Sequence, residues 1–156
     1  MNRLAITFLV LSCVGCVEEA AITPFPEQVI PATITTSDSD LLPGETATIT
    51  VTLTNTLDED IQLTFPTQCQ ALVFIRNSDG RVMTPENGTW ECASVPSSVN
   101  IPIGKAATYR MEWGGGIEFG PAGSSPRVPP GSYLASAELR ADGYHAIAFP
   151  ITIVVR

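Results

Sequence analysis

The chain has 156 residues, of which 44% are hydrophobic and 15% charged, and its formal net charge at pH 7 is −8. This length suits one domain, and the apolar fraction excludes a chain too polar to bury a core. The negative charge excludes nucleic-acid binding driven by the net electrostatic field, because phosphates would be repelled.

The first residues have the pattern of an export signal. Arg3 precedes about nine mostly apolar residues at 4–12, a run much shorter than the roughly 20 residues that a membrane-spanning helix needs. The pattern predicts a signal peptide over residues 1–15. It resembles a bacterial lipoprotein signal, with an ordinary secretory signal without lipid as the alternative.

Two cysteines compete as the residue that carries the lipid, because both Cys13 and Cys16 follow a small residue. Cleavage before Cys16 removes Cys13 and leaves Cys69 and Cys92 as a pair. Cleavage before Cys13 would instead leave an odd exported thiol. We therefore expect the lipid on Cys16, with Cys13 as the alternative, and a protein held on a membrane of the bacterial cell envelope.

Residues 16–28 contain prolines and no clear periodicity, which is typical of a tether. The clearest strand pattern follows at 46–55, where Ile49, Val51 and Leu53 alternate with threonines and so share one buried face. A second alternating stretch at 61–65 comes after a polar turn. We expect these two strands to pair or to pack around that turn.

Further strand patterns continue to the end of the chain. An apolar run at 71–76 suits a central strand, and alternation recurs at 105–113 and 132–140. The last strand, predicted at 146–155, contains Pro150, which indicates a sheet edge or a bulge. Residues 29–156 are therefore predicted to form one all-β domain, an immunoglobulin-like antiparallel sandwich of about seven to nine strands.

Residues that could carry chemistry do not form a recognisable active site. His145 is the single histidine and falls in a predicted turn, with no nucleophile elbow or zinc-binding helix in the chain. Asp58-Glu59-Asp60, with Asp38 or Asp40 near it, is a weak candidate for calcium because it lacks the spacing of a calcium loop. We predict no enzyme, and no catalytic, cofactor-binding or metal-binding residue.

Two pairs of residues are candidates for structure and recognition. Cys69 and Cys92 predict a structural disulfide, because disulfides persist in exported proteins. Trp90 and Trp113 are candidate contacts with a partner, because tryptophan is enriched at binding hot spots. Either tryptophan could equally belong to the core, and Trp113 lies on the inward face of its predicted strand.

Several stretches over about residues 42–140 together resemble the BsuPI family of bacterial proteinase-inhibitor domains. They are Pro43-Gly44-Glu45, Val51-Thr52-Leu53-Thr54-Asn55-Thr56, Ile61-Gln62-Leu63-Thr64-Phe65, Leu72-Val73-Phe74-Ile75-Arg76-Asn77-Ser78-Asp79-Gly80-Arg81-Val82, Tyr109-Arg110-Met111-Glu112-Trp113 and Pro129-Pro130-Gly131-Ser132-Tyr133. The resemblance implies an immunoglobulin-like sandwich that binds a serine proteinase.

The resulting hypothesis is a non-enzymatic, membrane-anchored binding module that could inhibit a proteinase by steric occlusion. The loops at 69–92 and 114–130 are the candidates for entering a proteinase cleft, because rigid loops lose little entropy on binding. The alternative is a structural or assembly lipoprotein that contacts other envelope proteins.

Overall fold

The computed structural model describes residues 28–156, so the predicted signal peptide, Cys13, Cys16 and all of the predicted tether except residue 28 lie outside the described residues. Eleven strands and one short 3-10 turn at Glu86–Gly88 make up the described part. The strands are β1 (Gln28–Val29), β2 (Ala32–Thr36), β3 (Asp40–Leu41), β4 (Ala47–Thr54), β5 (Ile61–Phe65), β6 (Leu72–Arg76), β7 (Val82–Thr84), β8 (Ser97–Ile101), β9 (Ala106–Trp113), β10 (Gly131–Ala141) and β11 (Tyr144–Val155).

The strands form three sheets that face a common core. The largest has the order β1-β11-β10-β6-β7, with β3 also paired to β11. The others are β2-β4-β9 and β5-β8. Pairing is antiparallel except where β1 and β3 add to β11 in parallel. Among residues 28–156, no helix is long and apolar enough to cross a membrane.

The core is formed by the apolar side chains that alternate with polar or smaller residues along the strands. In β4, Ala47, Ile49, Val51 and Leu53 are buried and the threonines between them are half-buried. In β10, every second residue from Tyr133 is likewise buried. Side chains of β4 and of the largest sheet meet in one hydrophobic cluster, and a second cluster brings in β5 and β8. The domain is therefore an all-β sandwich, as the sequence predicted.

One detail differs from the expectations and two agree. Of the two alternatives expected for β4 and β5, packing is observed and pairing is not: β4 pairs with β2 and β9, and Leu53 and Ile61 pack in the same cluster. His145 lies in β11 rather than in a turn, because that strand already begins at Tyr144. The bulge predicted at Pro150 is present, because two residues of β11 lie opposite Ser136 of β10.

Candidate functional site

The segment between β5 and β8 is closed by the predicted disulfide. Cys69 and Cys92 are bonded, with their Cα atoms 5.6 Å apart. Ser97 at the start of β8 donates a hydrogen bond from its hydroxyl to the carbonyl oxygen of Thr67 at 2.6 Å, and the Gln68 N–H donates to Ala93 at 3.2 Å. These bonds hold the two ends of the segment together. The predicted loop at 69–92 is not a loop throughout, because it contains β6 and β7. We call its part after β7, residues 85–96, the braced loop, because the disulfide at Cys92 ties it to Cys69.

Trp90 is fixed within this braced loop by a specific bond. Its indole N–H donates to the carbonyl oxygen of Val73 in β6 at 3.1 Å. Strand β7 pairs with β6 only at Ile75 and Arg76. The Val73 carbonyl lies outside that pairing, and the Trp90 indole is its hydrogen-bond donor on this side. The ring is half-buried and packs against the core cluster. Trp90 is thus both anchored and partly open to solvent.

The segment between β9 and β10 is ordered by a carbonyl at its start. The Gly116 carbonyl oxygen accepts hydrogen bonds from the Trp113 indole at 2.9 Å and from the Thr84 hydroxyl at 2.6 Å. Gly114 lies so close to the backbone of Pro121 and Ala122 that a Cβ atom would overlap it. Close approach of two backbones is a role that only glycine can fill here. The loop is therefore folded back tightly on itself.

The two loops meet at one place. The rings of Trp90 and Phe119 stack with their centroids 5.1 Å apart and an interplanar angle of 17°. Beside them, the Glu86 N–H donates to the Glu118 carboxylate at 3.2 Å. A cleft of about 620 Å³ opens at this junction, lined by Pro85, Glu86, Asn87, Thr89, Trp90, Glu91, Glu118 and Phe119. We call it the Trp90–Phe119 cleft.

A second, mostly apolar groove of about 530 Å³ runs along the other side of Trp90. It is lined by the disulfide, by Leu72 and Phe74 of β6, and by Pro66, Thr67, Gln70, Gly88, Thr89 and Arg140. Trp90 therefore lines both an acidic cleft and a mostly apolar groove.

Tyr109 adds a buried hydroxyl near this region. It lies with Trp90, Gln68 and Met111 along a further shallow depression. The Tyr109 hydroxyl makes no hydrogen bond within residues 28–156, and burial raises its pKa. The side chain therefore stays protonated and neutral at physiological pH, and it offers no charge to a partner.

The other residues singled out from the sequence take structural positions. Trp113 is fully buried, which corrects its candidacy as a partner contact and leaves the core alternative. Its ring packs edge-on against Tyr133, with centroids 6.1 Å apart. The backbone carbonyl of His145 accepts a hydrogen bond from the Ile30 N–H at 3.0 Å, so the residue helps to hold β1 beside β11.

Three of the acidic residues considered for calcium, Asp38, Asp40 and Asp60, make contacts within the fold. Asp60 accepts a hydrogen bond from the Ile103 N–H, and Asp38 accepts one from the Asp40 N–H. Asp40 is paired with Arg156 at 2.7 Å. Within residues 28–156, no group of three histidines, cysteines or acidic residues is placed to hold a metal ion.

Of the residues that line the cleft, only Trp90 was singled out from the sequence. Glu86, Glu118 and Phe119 lie in stretches without periodicity, and residues 114–131 carried only the composition of a loop. The one signal in the sequence was Phe119, an aromatic residue inside a Gly- and Pro-rich segment. The sequence could not show that Phe119 stacks on Trp90, because stacking between two loops depends on tertiary contacts.

The family model described as BsuPI, intracellular proteinase inhibitor, matches residues 34–144, and the chain belongs to this family. A search of curated protein sequences found no relative.

Solved structures with a similar fold share little sequence with this chain. A CARDB domain from Pyrococcus furiosus, solved in complex with di-metal ions, is 13% identical with a TM-score of 0.44, covering 85% of this chain and 90% of that one. The DNA glycosylase AlkC of Pseudomonas fluorescens is 11% identical with a TM-score of 0.47, over 84% of this chain. The sporulation control protein Spo0M of Bacillus subtilis is 14% identical with a TM-score of 0.43, over 83% of this chain and 50% of that one. The match spans 31% of the glycosylase chain.

Proposed function

We propose that this protein is a non-enzymatic proteinase inhibitor, tethered to a membrane of the bacterial cell envelope by lipid on Cys16. Membership of the BsuPI family supports the inhibitory role. The disulfide supports an exported location, because such bonds are rare in a reducing cytosol. Export distinguishes the proposal from the intracellular setting that the family description states.

The observation that carries the proposal is the junction of the two loops. Trp90 of the braced loop stacks on Phe119 of the loop between β9 and β10. The combined surface is held by the disulfide, by the Trp90 indole bond and by the two bonds to Gly116. A surface that is already ordered loses little conformational entropy on binding, which favours inhibition by occlusion of a proteinase cleft.

The test is inhibition of purified serine proteinases, beginning with a subtilisin-like enzyme. Progress curves with a small peptide substrate should show a dose-dependent loss of activity. The protein should be recovered uncleaved afterwards. Trp90→Ala should weaken inhibition at least tenfold, because hot-spot tryptophans carry more than about 1.4 kcal/mol of binding energy.

Two results would contradict this proposal. One is that proteinases purified from the cell envelope in which this protein resides keep full activity at every concentration of the protein. The other is equal inhibition by the wild type and by Trp90→Ala. Incorporation of labelled fatty acid into the wild type, into Cys13→Ala and into Cys16→Ala tests the anchor separately. Label should be lost only when Cys16 is replaced.

A second candidate function is assembly with other envelope proteins, and the outer face of the largest sheet favours it. Phe149 is 90% exposed, and Val29, Ile147 and Leu134 are also exposed. All four point away from the core, since a residue directly beside each of them in the chain is buried. Exposed apolar sheet faces mark interaction surfaces.

The two candidates predict different losses in a pull-down from envelope extract. Assembly predicts that Phe149→Ser with Ile147→Thr abolishes capture, while Trp90→Ala leaves it intact. Inhibition predicts the reverse pattern, together with loss of activity of the captured proteinase. A reduced and alkylated sample shows whether the braced loop takes part.

A further inference from the structure

The Trp90–Phe119 cleft combines an aromatic wall with unneutralised carboxylates. Glu86, Glu91 and Glu118 are all exposed and line the same cleft as the stacked rings. No lysine, arginine or histidine lines it. Within residues 28–156, none of the three carboxylates forms an ion pair with a basic side chain. Their charges are therefore left for something outside the described chain.

One of these carboxylates is held in place by the backbone. The Glu118 side chain accepts a hydrogen bond from the Glu86 N–H at 3.2 Å, which ties a side chain of one loop to the backbone of the other at the cleft. Carboxylates of like charge that share a site repel each other, and a cation between them relieves that repulsion. The fold thus brings together negative charge that a bound cation would stabilise.

The aromatic rings of Trp90 and Phe119 restrict which kinds of cation suit the cleft. Trp90 and Phe119 are half-buried, so part of the stacked pair faces the cleft. An aromatic face attracts a cation through its quadrupole, and the planar guanidinium of arginine can stack on it while its N–H groups donate to a carboxylate. A hard metal ion would need a cradle of oxygen ligands, which an aromatic wall does not supply.

We propose that the Trp90–Phe119 cleft binds an arginine side chain of a protein partner, between the aromatic pair and the carboxylates of Glu86 and Glu118. The negative net charge of the chain favours approach of such a basic segment. Identifying that partner as a proteinase rests on the function proposed above, whereas recognition of arginine by the cleft does not.

The test uses the purified full chain in detergent and the peptide acetyl-Gly-Arg-Gly-amide at low salt. The chain has two tryptophans, so a nitrogen–proton spectrum contains two indole signals, and Trp90→Phe assigns them. The peptide should shift the Trp90 signal in a saturable way and leave the Trp113 signal in place. The same peptide with citrulline, which is isosteric with arginine but uncharged, should cause no shift.

Substitutions separate the carboxylates from net charge in general. Glu86→Gln with Glu118→Gln should weaken peptide binding by about fivefold or more, because two exposed charge pairs that each contribute modestly are lost while the aromatic contact remains. The amide oxygen introduced at position 118 can still accept the N–H bond from position 86, so the cleft keeps its shape. The control is Asp58→Asn with Glu59→Gln, which also removes two negative charges and lies beyond the end of β4 opposite to the loop that follows β9. Equal shifts with citrulline, no saturable shift, or equal losses in the control would overturn the proposal.

The inhibition assay keeps this inference distinct from the proposed function. If the arginine peptide binds and no proteinase is inhibited, the cleft assignment stands and the inhibitor proposal fails. If proteinase is inhibited equally well by the wild type and by Glu86→Gln with Glu118→Gln, and the peptide does not bind, the inhibitor proposal stands and the cleft assignment fails.

Discussion

Trp90 stacks on Phe119 with 5.1 Å between ring centroids, and this contact joins a disulfide-braced loop to a loop that has no disulfide. The bond from Glu86 to Glu118 adds a polar contact beside the rings. Neither loop alone encloses the cleft, since residues of both line it. The candidate site is therefore a property of the junction, and changes at Phe119 should affect the braced loop as well.

We predict that Phe119→Ala weakens partner binding and lowers the free energy of unfolding by about 1–2 kcal/mol, because a half-buried ring and its stacking partner are lost. Phe149→Ala is the matched control, since Phe149 is 90% exposed, and a change there should cost less than about 0.5 kcal/mol. Urea unfolding measures both variants. Equal stabilities for the two would contradict the role given to the stack.

The disulfide should stabilise the domain mainly by lowering the conformational entropy of the unfolded chain. Replacing both cysteines, Cys69→Ala with Cys92→Ala, should lower the free energy of unfolding by about 3 kcal/mol, the value expected for closing a loop across 23 residues. Urea unfolding without reductant compares the variant with the wild type. Reductant should bring the wild type to the variant's value and leave the variant unchanged. An unaltered wild type in reductant would argue against the brace.

Asn55 should be among the most sensitive polar residues. It is fully buried, and its side-chain amide donates to the carbonyls of Glu59 and Ile101 at 2.8 Å while its oxygen accepts from the Leu57 N–H at 2.9 Å. Asn55→Ala leaves these groups unpaired and should cost about 2–4 kcal/mol. Asn100→Ala, at an exposed position of β8, should be close to neutral. Thermal unfolding of both variants provides the comparison, and a near-neutral Asn55→Ala would refute the prediction.

Gly114 should not tolerate a side chain. A Cβ atom there would overlap the backbone of Ala122, so Gly114→Ala must displace the loop between β9 and β10. We expect a loss of about 2 kcal/mol or more, together with weaker partner binding. At Gly131 a Cβ atom would make only an ordinary contact with Tyr133 at 3.8 Å. Gly131→Ala should therefore leave binding and stability nearly unchanged, and similar losses in both variants would be inconsistent with this account.

The ion pair between Asp40 and Arg156 should make a small, pH-dependent contribution. Its hydrogen bond to Arg156 holds the pKa of the Asp40 carboxyl below the ordinary value of 3.8. A lowered pKa in the folded state means that the contribution is present above the unfolded pKa and is lost as the pH falls through the folded pKa. Asp40→Asn should therefore lower the melting temperature at neutral pH. The difference from the wild type should shrink as the pH falls below the unfolded pKa. A difference that stays constant on acidification would contradict the assignment.

Much of the sandwich follows from local patterns in the sequence. The threonine alternation around Ile49, Val51 and Leu53 predicted a half-buried strand, and β4 has that burial. The same rule predicted the inward face of β10. Parity and export predicted the pairing of Cys69 with Cys92. The strand predictions succeeded because side chains alternate between the two faces of a pleated strand, so a few consecutive residues are enough to show which face is buried.

Other features depended on contacts between distant segments. Periodicity identified the buried face of β4 but not its neighbours, so pairing with β2 and β9 rather than with β5 was decided by the tertiary structure. Both tryptophans were candidate contacts in the sequence, and alternation placed only Trp113 on an inward face. The structure buries Trp113 and leaves Trp90 partly exposed. The sequence by itself determined the all-β class, the longer strands, the disulfide and the family resemblance, because these are encoded in local alternation, cysteine number and short motifs. The two-residue strands β1 and β3 were not predicted, since they are defined only by their pairing with β11. The tertiary structure alone decided that Phe119, Glu86 and Glu118 meet at Trp90, because loops without periodicity are positioned by the contacts they make with other parts of the fold.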